Sequence, residues 1–214
     1  MTATDVAVRG DIERIVAVEH HDPHAVLGHH RIGGGRPQVV IRAWRPDAVA
    51  MSVVRGDDRV AMERLHPLGL FAVTLDGEAI PDYRLEIAFA DHRIVVDDPY
   101  RFWPTLGDLD LHLFGEGRHE ALWRSMGCHP RVHQGTAGCS FAVWAPNARS
   151  VRVVGDFNAW DGRIHPMRML GSSGVWELFL PGIGPGARYK FEMLTRDGHL
   201  TLHADPLAFQ TELR

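Results

Sequence analysis

The stretch Val153-Val-Gly-Asp-Phe-Asn-Ala-Trp160-Asp-Gly162 is where the residue types and their spacing most plainly set up chemistry. A β run ends in a polar turn that places Trp160 beyond the strand, where burial is not required. An exposed indole offers a flat apolar face on which the C–H face of a pyranose stacks, while Asn158 and the neighbouring aspartates offer partners for hydroxyls. The chemistry implied is recognition of a neutral, hydroxyl-rich ligand. The alternative is that Trp160 only packs its loop onto the domain.

Other arrangements lead nowhere comparable. Gly171-Ser-Ser-Gly174 lacks the spacing of a nucleophile elbow and reads as a turn between strands. Gly33-Gly34-Gly35 is followed by no phosphate-binding pattern, so neither a P-loop nor a dinucleotide fingerprint is expected. The cluster His20-His21-Asp22-Pro23-His24 with His29-His30 is metal-like in composition, but its spacing fits no ligand template and Pro23 breaks the helix that would align it. The pairs Asp57-Asp58 and Asp97-Asp98 sit at turns, and adjacent strand residues point to opposite faces, so they are poor acid/base pairs. No catalytic residue, metal site or cofactor is expected.

The elements that position these residues are mostly strands. A first helix is expected from Asp11 as N-cap through Ile12, Ile15 and Val16, stopped by Asp22-Pro23. Beyond it the pattern turns to period two, with runs at 39–44, 49–54, 70–75, 83–89 and 93–96 separated by Gly, Pro and Asp. A second helix is expected over Gly117–Met126, where His119, Leu122, Trp123 and Met126 share one face and Gly127 follows as a C′ residue. Strand patterns resume at 139–145, 150–154, 174–180, 187–195 and 199–203. Trp144 and Trp176 fall inside these runs and are expected in the core.

An internal repeat organises the whole. Trp44-Arg-Pro-Asp-Ala48 recurs as Trp144-Ala-Pro-Asn-Ala148, Gly69-Leu-Phe71 as Gly174-Val-Trp176, Tyr83-Arg-Leu-Glu-Ile87 as Tyr189-Lys-Phe-Glu-Met193, and Asp98-Pro-Tyr-Arg-Phe102 as Asp205-Pro-Leu-Ala-Phe209, at offsets drifting from 100 to 107. The expected fold class is all-β: two tandem immunoglobulin-like β-sandwich domains with an N-terminal helix and a short connecting helix, divided as 1–105, 106–130 and 131–214.

Among 214 residues, 45% hydrophobic and 23% charged, the formal net charge is −4, which gives no footprint for nucleic acid or an anionic membrane. Nowhere do 18 apolar residues follow one another, and the N-terminal stretch carries charges where a signal peptide needs an apolar run, so a cytoplasmic protein is expected. Cys128 and Cys139 are then free thiols. Arginines outnumber lysines 22 to 1, which makes the single lysine, Lys190, informative.

Trp144-Ala-Pro-Asn-Ala148, Gly155-Asp-Phe-Asn-Ala-Trp160, Tyr189-Lys-Phe191 and Asp205-Pro206 together resemble the family 48 carbohydrate-binding module of glycogen- and starch-acting enzymes of glycoside hydrolase family 13. Asp22-Pro-His-Ala-Val-Leu-Gly28, Asp98-Pro-Tyr-Arg-Phe102 and Leu113-Phe-Gly-Glu-Gly-Arg-His119 resemble the N-terminal region of bacterial 1,4-α-glucan branching enzymes. The resemblance covers nearly the whole chain. It implies two modules that precede a (β/α)₈ barrel, absent here, which cuts an α-1,4 linkage through a covalent glycosyl-enzyme and rejoins the end as an α-1,6 branch. It also implies that α-glucan (glycogen or maltooligosaccharide) is the ligand, that Trp160 is a stacking tryptophan, and that Lys190 binds glucan hydroxyls. A free-standing glucan-binding scaffold is the alternative. One position departs from the pattern: where related modules carry a second stacking tryptophan, this sequence has Leu200. In the first repeat the segment matching the Trp160 turn reads Arg55-Gly-Asp-Asp-Arg59, which implies a module that has lost sugar contact.

Overall fold

The computed structural model describes residues 3–32, 36–77 and 82–211; the turn expected at Gly33-Gly34-Gly35 lies outside them. The chain divides into two compact bodies, one running to Val18 and resuming at Pro23–Arg101, the other comprising Glu19–Asp22 and the residues from Phe102 onward. Both are built from antiparallel sheets, so the fold is all-β.

The first body carries helix α1 (Ala3–Val16) and strands β1 (Gly28–Ile32), β2 (Gln38–Trp44), β3 (Ala50–Arg55), β4 (Asp58–Ala61), β5 (Glu63–His66), β6 (Leu70–Asp76), β7 (Arg84–Ala88) and β8 (Arg93–Val96). They form two four-stranded sheets ordered β1-β2-β6-β5 and β4-β3-β7-β8. Alternation dictates what lies between them: Val39, Ile41 and Ala43 from β2, Met51 and Val53 from β3, Phe71 from β6, and Leu85 and Ile87 from β7 share one core with Tyr83.

Helix α1 starts eight residues before the expected N-cap, and Asp11 lies inside it, paired with Arg14 one turn on. Gly10, mid-helix, is a weak helix former whose cost of about 1 kcal/mol the longer helix absorbs. Val18, at φ 57°, turns the chain out of the helix well before Pro23.

The second body carries α2 (Asp108–Gly115) and β9 (Gly127–His133), β10 (Thr136–Trp144), β11 (Ala148–Gly155), β12 (Arg168–Met169), β13 (Val175–Pro181), β14 (Tyr189–Thr195) and β15 (Leu200–His203). Its sheets are ordered β12-β13-β10-β9 and β11-β14-β15. Strands β10 and β13 are buried on both faces, which is why they read as continuous apolar runs. On one face Phe141 pairs with Leu178 and Val143 with Trp176. Against Ala142 and Val175 of the other pack Leu106 and Met126, with Leu111, Phe114 and Leu122. Trp176 is fully buried, its indole N–H donating to the Ala145 carbonyl at 3.0 Å.

The helix expected over Gly117–Met126 is displaced. The α-helix is α2, and Gly117 at φ 68° adopts the left-handed conformation that ends it. Beyond Gly117 the chain forms only a single 3-10 turn at Leu122–Arg124. The Asp110 carboxylate of α2 accepts from His119 Nε2 and Ser125 Oγ, both at 2.8 Å, and draws this segment back onto the helix. Trp144 also departs from expectation, being 55% exposed.

The repeat is a repeat of structure. Ala48 N–H donates to Arg45 O and Ala148 N–H to Ala145 O, while Arg45 N–H donates to Gly69 O and Ala145 N–H to Gly174 O. Each body closes with the same clasp. Tyr83 donates its hydroxyl to Asp98 Oδ2 at 2.7 Å while Tyr100 N–H donates to Asp98 Oδ1; Tyr189 donates to Asp205 Oδ2 while Leu207 N–H donates to Asp205 Oδ1. Glycine opens both clasps. A Cβ on Gly28 (φ 82°) would stand 2.4 Å from Tyr100 O, and one on Gly127 (φ 91°) 3.1 Å from Asp205 Oδ2.

Asp98 is 1% exposed. Burial raises its carboxyl to about 6, against the hydrogen bonds from Tyr83 and Tyr100 N–H and the charge of Arg101. The native state therefore holds a proton that the unfolded chain has lost between about pH 4 and pH 6, and this contribution to stability disappears as pH rises through 6. Asp98→Asn is expected to lack that decline. Thermal midpoints of the two proteins across pH 4–7 check it, and parallel curves would show that Asp98 ionises as a solvated carboxyl does.

Glu177, fully buried, accepts from Arg168 Nε at 2.9 Å and from Thr105 Oγ1 at 2.8 Å, and Arg168 in turn donates to Phe102 O. Truncation strands a buried guanidinium. Glu177→Ala is expected to lose about 3–5 kcal/mol in denaturant unfolding, several times more than an exposed Glu63→Ala.

Candidate functional site

Strand β11 ends at Gly155, and residues 156–158 form a 3-10 turn. Ala159 (φ 52°) and Trp160 (φ 61°) follow, two successive non-glycine residues in the left-handed region. Such backbone costs of order 1–3 kcal/mol per residue and persists only where the surroundings over-determine it, as ligand clamps do. Here Trp160 N–H donates to Gly155 O at 3.0 Å and Asp161 N–H to Asn158 O at 3.0 Å. The Asn158 side chain does the rest. Its Oδ1 accepts from Gly155 N–H at 2.9 Å, and its Nδ2 donates to Val153 O at 2.9 Å and meets His165 Nδ1 at 3.0 Å. Asn158, expected to bind hydroxyls, is 5% exposed, and its amide is committed to shaping the turn.

The turn holds Trp160 by its edge. The indole N–H donates to Asp156 Oδ1 at 3.1 Å, and Arg188, just before β14, donates to the same carboxylate through Nε at 2.9 Å and Nη2 at 3.3 Å. Hydrogen bonding from Arg188 and then from Trp160 holds the Asp156 carboxyl below the usual range. The ring remains 41% exposed. A ring oriented at its edge and open to solvent is a preorganised stacking surface.

Register brings Lys190 to the same end of the sheet. Gly155 pairs with Tyr189 and Val154 with Lys190, so the lysine lies one residue in from the strand end that carries the Trp160 turn. Lys190 is exposed. On the same face follow Glu192, which accepts from Arg152 Nη1 at 2.8 Å, and opposite it Leu202 of β15. Gly162 crosses this pair so closely that a Cβ would stand 2.0 Å from Glu192 Oε1. Leu200 pairs with Leu194 and is 55% exposed, so methyl groups occupy the surface where the modules this one resembles carry an indole.

The structure thus places Trp160 and Lys190 at one end of the sheet, turns Asp156 onto the indole edge, and adds Arg188, Arg152 and Glu192, which sequence reasoning did not single out. The tandem Arg188-Tyr189-Lys190 beside an acidic turn was a signal, but only strand register reveals that the two segments meet. In the first body, Arg55 and Asp58 pair across the β3–β4 hairpin, so the segment matching the Trp160 turn presents no aromatic ring. The histidine stretch is absorbed into packing. His20 is buried and stacks on His21, His24 packs its edge on Tyr100, and His29, lowered by burial, lies against Tyr83. Among the described residues no group of three or more metal-type donors converges, and no helix is long and apolar enough to cross a membrane.

Residues 8–100 match the family described as alpha-1,4-glucan branching enzyme GlgB, N-terminal domain, and residues 125–208 match carbohydrate-binding module 48 (isoamylase N-terminal domain). The chain is 56% identical over 203 residues to 1,4-alpha-glucan branching enzyme GlgB 1 of Streptomyces coelicolor, a match covering 95% of this chain and 26% of that protein. It is 54% identical to the GlgB of Frankia casuarinae, covering 95% and 25%, and 50% identical to that of Myxococcus xanthus, covering 99% and 29%. The chain spans about a quarter of the length of these relatives. With two family matches in sequence order over the two bodies, and relatives of one name along nearly all its residues, the chain belongs to the GlgB family as its N-terminal region, a GlgB N-terminal domain followed by a family 48 carbohydrate-binding module.

Proposed function

We propose that this chain serves a cytoplasmic 1,4-α-glucan branching enzyme as its non-catalytic N-terminal region, holding α-glucan for a (β/α)₈ barrel elsewhere in the same polypeptide. The functional division runs 1–105, a connector at 106–130, and 131–214, with glucan contact in the last segment. One observation carries the reading: a tryptophan with a free face, fixed on a strained turn, stands at the sheet end where the chain's single lysine is exposed. A pyranose stacked on Trp160 sets its hydroxyls toward the Lys190 ammonium, a compact donor with three protons. Asn158 serves by maintaining the turn. The first module is a scaffold whose hairpin has replaced the stacking turn.

Native gel electrophoresis in glycogen tests this. The chain is expected to be retarded, with Trp160→Ala weakening the apparent affinity about tenfold, equivalent to about 1.4 kcal/mol, and Lys190→Ala weakening it several-fold. Equal mobility with and without glycogen sinks the sugar-binding role. The purified chain by itself is expected to add no α-1,6 linkages to amylose, and a measurable rise in such linkages would place catalytic groups within it.

A further inference from the structure

The second body contains a cavity of about 690 Å³ between the β10–β11 loop and the β14–β15 hairpin, in the size range of small-ligand pockets. Trp144, Pro146 and Asn147 line one side, and Met193, Arg196 and Asp197 are among the residues of the other. The Trp160 turn is elsewhere: it follows Gly155, whereas this cavity borders Ala148, and the strand between them is about 23 Å long at ~3.3 Å per residue.

Comparison of the two repeats isolates what is unusual. Trp44 ends β2 as Trp144 ends β10, and each follows the same strand pairing, Trp44 with Leu70 and Trp144 with Val175. Trp44 is 6% exposed and its indole N–H donates to Leu68 O at 3.0 Å. Trp144 is 55% exposed, touches Phe114 edge to face at 5.8 Å, and makes no hydrogen bond through its indole to a described residue. The neighbouring Trp176, a phenylalanine in the first repeat, ties the β10–β11 loop by donating to Ala145 O. Trp144 has thereby been released from the structural duty that its counterpart performs, and an indole with an open face and a free donor is left at a cavity mouth.

We propose that this cavity is a second α-glucan subsite, with Trp144 as the stacking platform and Asn147, Arg196 and Asp197 as partners for hydroxyls. The inference rests on the glucan-binding reading of this module. Arg196 and Asp197 carry opposite charges and leave the mouth with no net field to select an ion, while an amide, a guanidinium and a carboxylate together supply the mixed donors and acceptors that sugar hydroxyls require. Two separated contacts on one module let a long glucan engage both, so the second contact forms at high effective concentration.

The indole N–H resonances of the ¹⁵N-labelled chain test it during titration with maltoheptaose. The Trp144 signal is assigned by its loss in both Trp144→Phe and Trp144→Ala, so assignment survives failure of either variant to fold. The Trp144 signal is expected to shift in the wild-type chain and, at higher maltoheptaose concentration, in Trp160→Ala. A Trp160 signal that moves while Trp144 stays still overturns the second subsite and leaves the proposed function standing. Loss of the Trp144 shift in Trp160→Ala overturns it equally, since the shift is then an echo of the first site. If neither signal moves, the glucan-binding reading fails and this inference with it.

Discussion

A tyrosine hydroxyl bonded to an aspartate beside a glycine in the left-handed region recurs in both bodies, as Tyr83–Asp98 with Gly28 and Tyr189–Asp205 with Gly127. Each aspartate also accepts the backbone N–H two residues on, across the Asp-Pro step where the chain leaves the sandwich. Tyr83 immediately precedes β7 and Tyr189 opens β14, each a central strand, so the clasp ties the exit of the chain to the centre of a sheet. Isolated, a carboxylate so enclosed would be costly. With a phenol and an amide as its partners, it gives the last segment of each module one seat.

On that shared frame the two copies have diverged where the frame tolerates it. The first body fills the edge beside β3 with a further strand, β4, whose backbone groups pair in a hairpin. The second inserts a 3-10 turn and two left-handed residues, held by Asn158 and presenting Trp160, before His165–Met167 return to pair with the β11 edge. The hydrogen-bonding work of this turn is thus concentrated in a few of its side chains. Asn158 and Asp156 spend their hydrogen bonds on the turn and on the indole edge, while Trp160 and Lys190 remain exposed.

The tryptophans follow the same logic. Trp176 sits at the centre of β13 with its N–H on a loop carbonyl, where alternation and strand length place it without ambiguity. Trp144 lies in an equally apolar run, yet it is the last residue of its strand and faces outward. Burial of such a residue depends on what another segment lays over it, which periodicity cannot report. The misplaced second helix has a related cause: the apolar spacing at His119, Leu122, Trp123 and Met126 is real, but Gly115 and Gly117 flank a helix end, and a carboxylate on α2 captures His119 and Ser125 instead. The edge strands β1, β4, β5, β9 and β12 carry too few buried residues to create a period, so the sequence pattern does not report them.

The sequence by itself determined the all-β class, the two-module duplication and the family, and singled out Trp160 and Lys190 as candidates, because turn chemistry, period-two alternation and ordered motifs are local properties of the chain. Tertiary structure decided what those residues are free to do. Whether Asn158 faces a ligand or its own backbone, whether Trp144 is core or surface, and whether Arg188 meets Asp156 are set by strand register and by contacts between residues distant in sequence. No local pattern encodes which hydrogen-bonding groups are already taken.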